Sequence, residues 1–463
     1  MKAFEIGERF VCYYQDIGFE LLPSASLLHP SIPMSFVMSA GLVQVETALD
    51  QIGQHSGSKF VLVQNCFRHF DLDSIGTSDI HLSLFQMPGA FRFSPDGKSD
   101  TIRQMWHLVT RALGVAPENL WVTYFSGGEV FGRLLSEDGD TRRTWQEIGI
   151  PESRVVGLDS NSNYWKQGGG LEGLGAHRKC GPNTEVFFDR GSHLACSDGC
   201  KPGCRCGRFV EFANSLFIDT ELDESGRLVP MSKPFAETVI GTERAAMILQ
   251  GKSSVFEIDS LEPIITAIRQ FCHKDNGKPA SERIVADHLR ALLFLVADGA
   301  PPPGKDGRQR IVKILIRNAL THQMILGISS ASFLSSVLAV ITDLDSTHPT
   351  LKAARNTLLD YFDSESTRFQ RTVQIGQRRF DEFLKANGGH TLQSTQVLSL
   401  EKRLGLPGAL TAKLLKERGL DFPKQEYDSL LQAWKVSCRQ SAQVNVSIPG
   451  GEDHVAQRYS PVG

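Results

Sequence analysis

The stretch "ETVIGTER" occupies residues 237–244 and marks the point at which the character of the chain changes. It comes shortly after a Lys-Pro pair and directly before the helix-forming stretch "AAMILQG" (245–251), so it predicts a strand that passes into a helix. An acid opens the stretch at Glu237, and an arginine closes it at Arg244. A guanidinium is always charged and presents a planar fork of donors, which suits phosphate oxygens.

The residues before this turn predict a sheet. Short apolar runs alternate there with clusters of Gly, Pro, Asp and Ser, which is typical of strands. The predicted strands include "SFVMSAG" (35–41), "KFVLVQ" (59–64), "LSLFQM" (82–87), "LWVTYF" (120–125), "TEVFFD" (184–189) and "RFVEFANSLFI" (208–218). Helices are predicted over residues 4–17, 101–114 and 141–149. This half is therefore expected to be α+β, with a mixed or antiparallel sheet.

The residues after the turn predict helices alone. Apolar residues recur at helical spacing over 282–299, 310–327, 332–344 and 409–419. We therefore expect a first domain over residues 1–245, an all-α domain over 246–440 and a flexible tail over 441–463.

The composition is that of a globular protein with an uneven distribution of charge. The 463 residues are 41% hydrophobic and 22% charged, with a net charge of −3. Residues 246–463 carry 27 basic against 22 acidic side chains, an excess that either nucleic acid or solvent could face. The N-terminus lacks the apolar core of a signal peptide, and the longest apolar run, "ALLFLVA" (291–297), is too short to span a bilayer. We expect a cytoplasmic protein with no membrane partner.

A second arginine can complement Arg244. Arg68 closes the predicted strand "VLVQNCFR" (61–68), and "LSLFQMPGAFRF" (82–93) is its expected return strand. An arginine on a strand hairpin and another at a strand-to-helix turn can clamp a triphosphate between them. Taken singly, each arginine is more often a structural ion pair.

Four of the nine cysteines crowd into the loop of residues 193–206, "HLACSDGCKPGCRC". In a reducing compartment such crowding favours a metal over disulfides. Four thiolates can enclose one tetrahedral Zn²⁺ without leaving an open position, which predicts a structural site. The predicted ligands are Cys196, Cys200, Cys204 and Cys206. A reduced loop without metal is the alternative.

Several ordered segments resemble one family. The stretch "SASLLHPSIPMSFVMSAGLVQ" (24–44), the Arg68 hairpin and "ETVIGTER" follow the order and type of the three motifs of class II aminoacyl-tRNA synthetases. The chain resembles the alanyl-tRNA synthetase family in particular, over about residues 5–435. Further matching segments are "NYWKQG" (163–168), "CGPNTEVFFD" (180–189), "RFVEFANSLF" (208–217) and "RIVADHLRALLFLVADGAPP" (283–302). The resemblance implies a class II catalytic domain followed by a helical domain of the tRNA-recognition type.

The resemblance also implies roles for individual residues. Arg68 and Arg244 are the expected catalytic residues, with Arg68 on the α-phosphate of ATP and Arg244 against the adenine and the γ-phosphate. The implied ATP-binding residues are Arg68, Phe85, Met87, Glu243 and Arg244. The implied amino-acid-binding residues are Met38, Trp165, Asn214, Leu216, Glu237 and Val239. Glu185 and Glu243 are expected to support Mg²⁺ or the shape of the pocket. The implied reaction is attack of an amino-acid carboxylate on the α-phosphorus of ATP, with release of pyrophosphate.

Some positions depart from the family pattern around the amino-acid pocket. Glu237 stands where the family has the aspartate that binds the substrate ammonium, and Val239 stands where it has glycine. Gln86 replaces a glutamate, Asn183 a cysteine and Ala213 a tryptophan. A longer acid with a bulkier wall favours a small substrate or an altered pose of the substrate. We expect alanine first, then glycine or serine, since one methylene discriminates by only about 1–3 kcal/mol.

Two departures concern the acceptor. The family reads a G·U pair of the tRNA with an asparagine and an aspartate, whereas Gly307 and Lys402 occupy those positions here. Basic side chains nearby, Arg308, Arg310, Lys313 and Arg317, could still bind phosphate. The family's editing domain is expected to be absent from this chain.

Three hypotheses follow. The first is an aminoacyl ligase that transfers its amino acid to a small nucleoside-like acceptor in a biosynthetic pathway. The second is a minimal alanyl-tRNA synthetase without editing. The third is a catalytically inactive binding module, which retention of Arg68, Trp165, Asn214 and Arg244 opposes.

Overall fold

The structure is a computed structural model, and it describes residues 1–30, 32, 37–52, 57–94, 96–167, 178–272, 278–345, 348 and 350–446. Gly168, parts of the stretch 24–44 and the tail from 447 onward lie outside the described residues. No helix within the described ranges is long and apolar enough to cross a membrane. By contact density the chain divides into two compact units, Met1–Ile264 and Ile265–Gly463.

A nine-stranded sheet forms the centre of the first unit. Its strand order is β1-β2-β3-β11-β10-β9-β4-β7, and β8 pairs with β9. The pairs β1–β2 and β4–β7 are parallel, and the others are antiparallel. The strands, including the two of the small separate hairpin β5–β6, are β1 Glu20–Leu21, β2 Lys59–Phe67, β3 Leu84–Arg92, β4 Leu120–Phe125, β5 Gly128–Val130, β6 Arg133–Leu135, β7 Val155–Leu158, β8 Tyr164–Lys166, β9 Lys179–Asp189, β10 Phe209–Leu222 and β11 Leu228–Ile240.

Helices flank this sheet, and their ends follow local rules. The helices are α1 Ala3–Asp16, α2 Leu42–Ile52, α3 Lys98–His107, α4 Gly139–Ile148 and α5 Thr242–Leu249, with α6 Glu262–Arg269 spanning the division between the units. The helix α4 begins at Asp138, whose side chain accepts from the Thr141 N–H, and it ends at Gly149 in the left-handed conformation.

The second unit is helical over the residues described. Its helices are α7 Pro279–Ala297, α8 Gly307–Leu326, α9 Phe333–Leu344, α10 Leu351–Ala386, α11 Ser394–Leu404, α12 Gly408–Glu417 and α13 Lys424–Val446. Helix α10 buries one residue every three or four, among them Leu358, Phe362 and Phe369, which is the spacing that keeps one face of a helix inward.

The expected fold class is confirmed: a mixed sheet with flanking helices precedes a helical region. Three details differ. The stretch 37–41 is not a strand; it runs irregularly into α2. The units divide at residue 264 rather than 245, because α5 packs on α1 and on β3 and β10 of the sheet. The last helix continues to Val446, so residues 441–446 are helical rather than part of a tail.

Candidate active site

One face of the sheet collects the predicted site residues. Glu237 on β11 lies opposite Leu216 of β10 and opposite Phe91 of β3. Residues paired in this way point to the same face, and every second residue along each strand returns to it. The residues that share this face by register are Phe85, Met87, Asn214, Leu216, Glu237 and Val239.

Arg68 directly follows the end of β2. Its guanidinium carbon lies 4.9 Å from the centre of the Phe85 ring on β3, a cation–π contact. One Nη donates a long hydrogen bond of 3.5 Å to the Ser39 carbonyl oxygen. Within the described ranges no carboxylate lies at ion-pair distance from Arg68. No described carboxylate therefore neutralises the positive charge of Arg68, and this charge is available to a phosphate group.

Arg244, on the first turn of α5, is held by three acceptors. Its Nε donates to the Ile80 carbonyl oxygen at 3.2 Å, and its Nη1 donates to the Glu211 carbonyl oxygen at 2.9 Å and to that residue's carboxylate at 3.2 Å. Burial, Arg244 and, more weakly, Arg68 lower the pKa of His81. Both guanidiniums therefore lie within electrostatic range of the His81 imidazole.

Glu243 and Gln86 join α5 to the sheet. The buried Glu243 carboxylate accepts from the Gln86 backbone N–H at 3.0 and 3.2 Å. The Thr242 hydroxyl donates to the Gln86 side-chain oxygen at 3.3 Å. These contacts fix the start of α5, and so the base of Arg244, against the middle of β3.

Glu237 is a buried carboxylate with no hydrogen-bond partner among the residues that the structure describes. Its residue is only 6% exposed, and no described donor lies within hydrogen-bond distance of its side chain. Burial raises the pKa of Glu237 to about 7; Arg68 opposes this rise and Glu46 adds to it. A buried carboxylate with no hydrogen bond is costly, and a ligand ammonium would satisfy it.

Apolar side chains surround Glu237. Leu216 belongs to a core cluster with residues of α2, β2 and β3, and the partly buried Trp165 and Val239 pack against the same cluster. Met38 is fully buried, and its carbonyl oxygen accepts from the Phe67 N–H beside Arg68. The acid therefore lies in a small, mostly apolar environment.

A row of polar side chains borders this environment on β9 and β10. Asn183 donates to the Asn214 side-chain oxygen at 3.4 Å and to the Glu185 carboxylate at 3.5 Å. The Thr123 hydroxyl donates to the other Glu185 oxygen at 3.5 Å. Burial and then the charge of Glu211 raise the pKa of Glu185 well above its ordinary value.

Glu211 carries no motif that singles it out in the sequence. The structure identifies Glu211 as part of the site, because a bulge in β10 between Glu211 and Ala213 places it beside Arg244 and within electrostatic range of Glu185. Glu46 of α2 is a similar case, because its carboxylate pairs with the Lys179 ammonium, a residue far away along the chain.

The cysteine loop brings its thiols together. The sulphur atoms of Cys196, Cys200 and Cys204 all lie within 4.8 Å of one another. The fourth, Cys206, lies 3.5 Å from the Cys200 sulphur. Zn–S bonds of about 2.3 Å place the sulphurs of a tetrahedral site about 3.8 Å apart, so this donor set suits Zn²⁺. His193 is exposed and is not part of the cluster.

Gly307 and Lys402 occupy the two positions of the helical unit at which the family has the side chains that read the G·U pair. Gly307 begins α8 with a φ of +49°, a backbone conformation that glycine adopts easily. The Lys402 ammonium lies 2.6 Å from the Glu401 carboxylate and 4.6 Å from the centre of the Trp434 ring. Neither residue presents a free hydrogen-bond acceptor to a base.

Comparisons with known proteins agree with the motifs. A model of the family described as class II (A) tRNA synthetases matches residues 5–459. The alanine–tRNA ligase of Thermotoga maritima is 31% identical over 439 residues, which are 93% of this chain and 49% of that protein. That of Dehalococcoides mccartyi is 28% identical over 442 residues, which are 94% of this chain and 49% of that protein.

The chain spans about half the length of the curated relatives it matches. Among solved structures, apo histidyl-tRNA synthetase of S. aureus overlaps 53% of this chain and 69% of that chain, with 10% identity and a TM-score of 0.33. The assignment rests on the family model and on the identities along almost the whole chain. The chain belongs to the class II tRNA synthetase (A) family and is related to alanine–tRNA ligases.

Proposed function

We propose that the chain activates a small amino acid, alanine in the first place, as an aminoacyl-adenylate. The observation that carries this proposal is Glu237, a buried carboxylate with no hydrogen-bond partner among the described residues, close enough to Arg68 for its pKa to respond. An α-amino acid offers an ammonium for the acid, and ATP offers phosphate for the arginine. Substrate and nucleotide would thus meet between these two side chains.

The proposed reaction needs positioning and charge neutralisation rather than a protein nucleophile. The amino-acid carboxylate attacks the α-phosphorus in line, an oxygen–phosphorus bond forms, and the bond to the leaving pyrophosphate breaks. Arg68 would neutralise the α-phosphate, and Arg244 would contact the nucleotide beyond it. Phe85 and Met87 would lie against the adenine.

Mg²⁺ would neutralise phosphate charge when it is bound. Glu185 and Glu211 are the carboxylates that fit this requirement, because the charge of Glu211 adds to burial in raising the pKa of Glu185, and an added cation would favour its ionised form. Glu243 accepts from the sheet backbone and is better placed as a brace for α5.

Pyrophosphate exchange without any tRNA tests this proposal. We expect exchange with alanine, glycine or serine, and a loss of at least about tenfold for Arg68→Ala, since a charge-assisted phosphate contact contributes about 1.5–3 kcal/mol. Arg227→Ala is the matched control, because the Arg227 side chain is exposed and, among the described residues, pairs only with Asp223 near a turn. Absence of exchange with every proteinogenic amino acid would contradict activation of those substrates.

The acceptor is a separate question with two candidates. The relatives are alanine–tRNA ligases, and this favours tRNA as the acceptor. Gly307 and the engaged Lys402 favour a small nucleoside-like acceptor instead, because base readout requires acceptors and donors aimed at base edges. Mass spectrometry of the products formed from ATP and alanine, with either tRNA or a nucleoside fraction, separates the two.

We further propose that the cysteine loop holds one structural Zn²⁺ through Cys196, Cys200, Cys204 and Cys206. Four thiolates complete a tetrahedral site, so the metal would hold the loop rather than take part in adenylation.

A further inference from the structure

A cationic pocket lies between α8 and α10 of the helical unit. It encloses about 330 Å³, and the loop before α8 closes one side of it. The side chains that line it include Lys305, Lys313, Arg317, Glu365, Arg368 and Thr372. Lys313 and Arg317 lie one turn apart on α8, and Arg368 and Thr372 lie one turn apart on α10, so two helix faces converge on one volume.

The charge in this pocket is unbalanced. Four cationic side chains surround a single carboxylate, that of Glu365, which leaves an excess of three positive charges. Glu365 accepts from the Arg317 Nε at 2.6 Å and lies 3.9 Å from Arg368. Lys305 and Lys313 have no ion pair or hydrogen bond to any described residue. Burial, and then the neighbouring cations, lower the pKa of Lys313.

Side chains that line the pocket are held in place by their neighbours. The Glu365 side chain is 1% exposed, and it fixes the guanidinium of Arg317, which is 18% exposed. Gly405, which follows α11 with a φ of +71°, lies beside two lining residues, and a Cβ there would lie 2.9 Å from the Thr372 methyl carbon and 3.9 Å from an Arg317 Nη. A side chain at that position would push against Thr372, so glycine keeps the space beside Arg317 open.

We propose that this pocket binds the phosphate monoester of a small phosphorylated molecule. A phosphate monoester carries about −1.5 to −2 charges at neutral pH, which the excess cations can neutralise. A nucleic-acid backbone presents single charges in a row, whereas these cations converge on one point instead of following a line. Binding here requires neither ATP nor an amino acid, so it stands apart from the activation proposed above.

The probe is ribose 5-phosphate, titrated calorimetrically into the full chain, with ribose as the uncharged counterpart. We expect saturable binding of the phosphate ester alone. Lys313→Gln should weaken it by about tenfold or more, because one charge-assisted contact is lost. Arg371→Gln, an exposed arginine on α10 outside the pocket, should leave it unchanged. Arg68→Ala should also leave it unchanged, which separates this site from the phosphate contacts of the sheet unit.

Folding and nucleic acid need their own controls. Lys313→Gln should unfold at the same temperature as the wild type or higher, because it relieves like-charge crowding. If it fails to fold, Lys305→Gln replaces it, since Lys305 is exposed, and the same loss is expected. Absence of ribose 5-phosphate binding overturns the proposal. The proposal is also overturned if an RNA duplex without a terminal phosphate binds the wild type and loses affinity in Lys313→Gln, while ribose 5-phosphate does not bind.

Discussion

Glu237 lies near the C-terminal end of β11 with 6% of its surface exposed, between strands that supply Leu216 and Phe91 as its neighbours. Its carboxylate has no described partner, and its pKa is raised to about 7. A residue of this kind costs stability whenever it is ionised without a ligand. Retaining such a group is consistent with a site that binds a cation, because binding supplies the missing partner.

The stability effect of Glu237→Gln should depend on pH. Between the ordinary glutamate pKa of about 4.3 and the folded value of about 7, the unfolded chain loses its proton while the folded chain keeps it. The free-energy cost of burying the Glu237 carboxylate on folding therefore grows as the pH rises through that window, and it reaches its full value above the window. Glu237→Gln should raise the free energy of unfolding at pH 8 by up to about 3 kcal/mol relative to its effect at pH 4. Denaturant unfolding at the two pH values measures this difference, and equal effects at both would contradict it.

The same residue should give amino-acid activation a pH dependence. An ammonium binds to the ionised carboxylate, so kcat/KM for the amino acid should rise as the pH increases toward about 7 and level off above it. Glu237→Gln should lower kcat/KM and remove this rise. Pyrophosphate exchange from pH 5.5 to 8.5 is the measurement, with the KM for ATP as the internal control. An unchanged profile in the variant would show that another group titrates.

Val239 offers a second test at the residue scale. It lies opposite Gly89 on β3 and packs against the cluster that holds Leu216 and Trp165. Val239→Gly removes an isopropyl group from the wall, so larger amino acids should gain relative to alanine. We expect the ratio of kcat/KM for serine over alanine to rise by about tenfold, the lower end of the roughly 10- to 200-fold that one methylene contributes. A ratio that falls or stays constant would place Val239 away from the substrate side chain.

At the scale of elements, the cysteine loop between β9 and β10 contains little regular secondary structure that could hold its shape. It carries a short 3₁₀ turn, Ser192–Leu194, but no longer helix or strand, and most of its residues are exposed. Four thiols nevertheless lie close together, with Cys200 only 5% exposed among them. A metal would supply the cross-links that the missing apolar core does not.

We expect one zinc per chain in protein purified without chelator, measured by elemental analysis. Cys200→Ser should lower the zinc content and the temperature of unfolding, and it should leave the KM for ATP nearly unchanged because four sulphurs leave no open position. Cys12→Ser is the control, since Cys12 is exposed on α1. Zinc near zero, with all nine thiols titrating freely, would refute the site.

At the scale of the whole molecule, one unit carries the residues that we propose for adenylation and the other is helical over the residues described, and acceptor choice would depend on both. The helical unit has glycine at the start of α8 and a lysine already paired with Glu401 where readers of a G·U pair were expected. A lysine only donates, and glycine has no side chain, so neither can reproduce an acceptor at a base edge.

We therefore expect no preference for the acceptor-stem G·U pair. Charging of tRNA-Ala and of a variant with G·C in place of G·U should be equally slow or absent for both. The measurement is aminoacylation with both RNAs at several salt concentrations, since phosphate contacts alone would weaken with salt. Efficient charging of the G·U RNA alone would show that other side chains have taken over the readout.

The sequence alone determined the fold class, the order of the motifs and the family, because these depend on local signals. Apolar periodicity distinguishes strands from helices, and Arg68 and Arg244 occupy recognisable turns. The strand prediction for "SFVMSAG" is wrong over residues 37–41, the part that the structure describes, because a short apolar run without strand pairing has the same local pattern as one with it.

Only the tertiary structure decided which charges face one another. Glu211 meets Arg244 through a bulge in β10, and Lys313 meets Arg368 through the packing of two helices more than fifty positions apart in sequence. The raised pKa of Glu237 arises from burial, and β11 is buried because it lies between β3 and β10 in the interior of the sheet. Burial and electrostatic coupling are properties of distances in space, and these distances are set only when residues remote along the chain pack together.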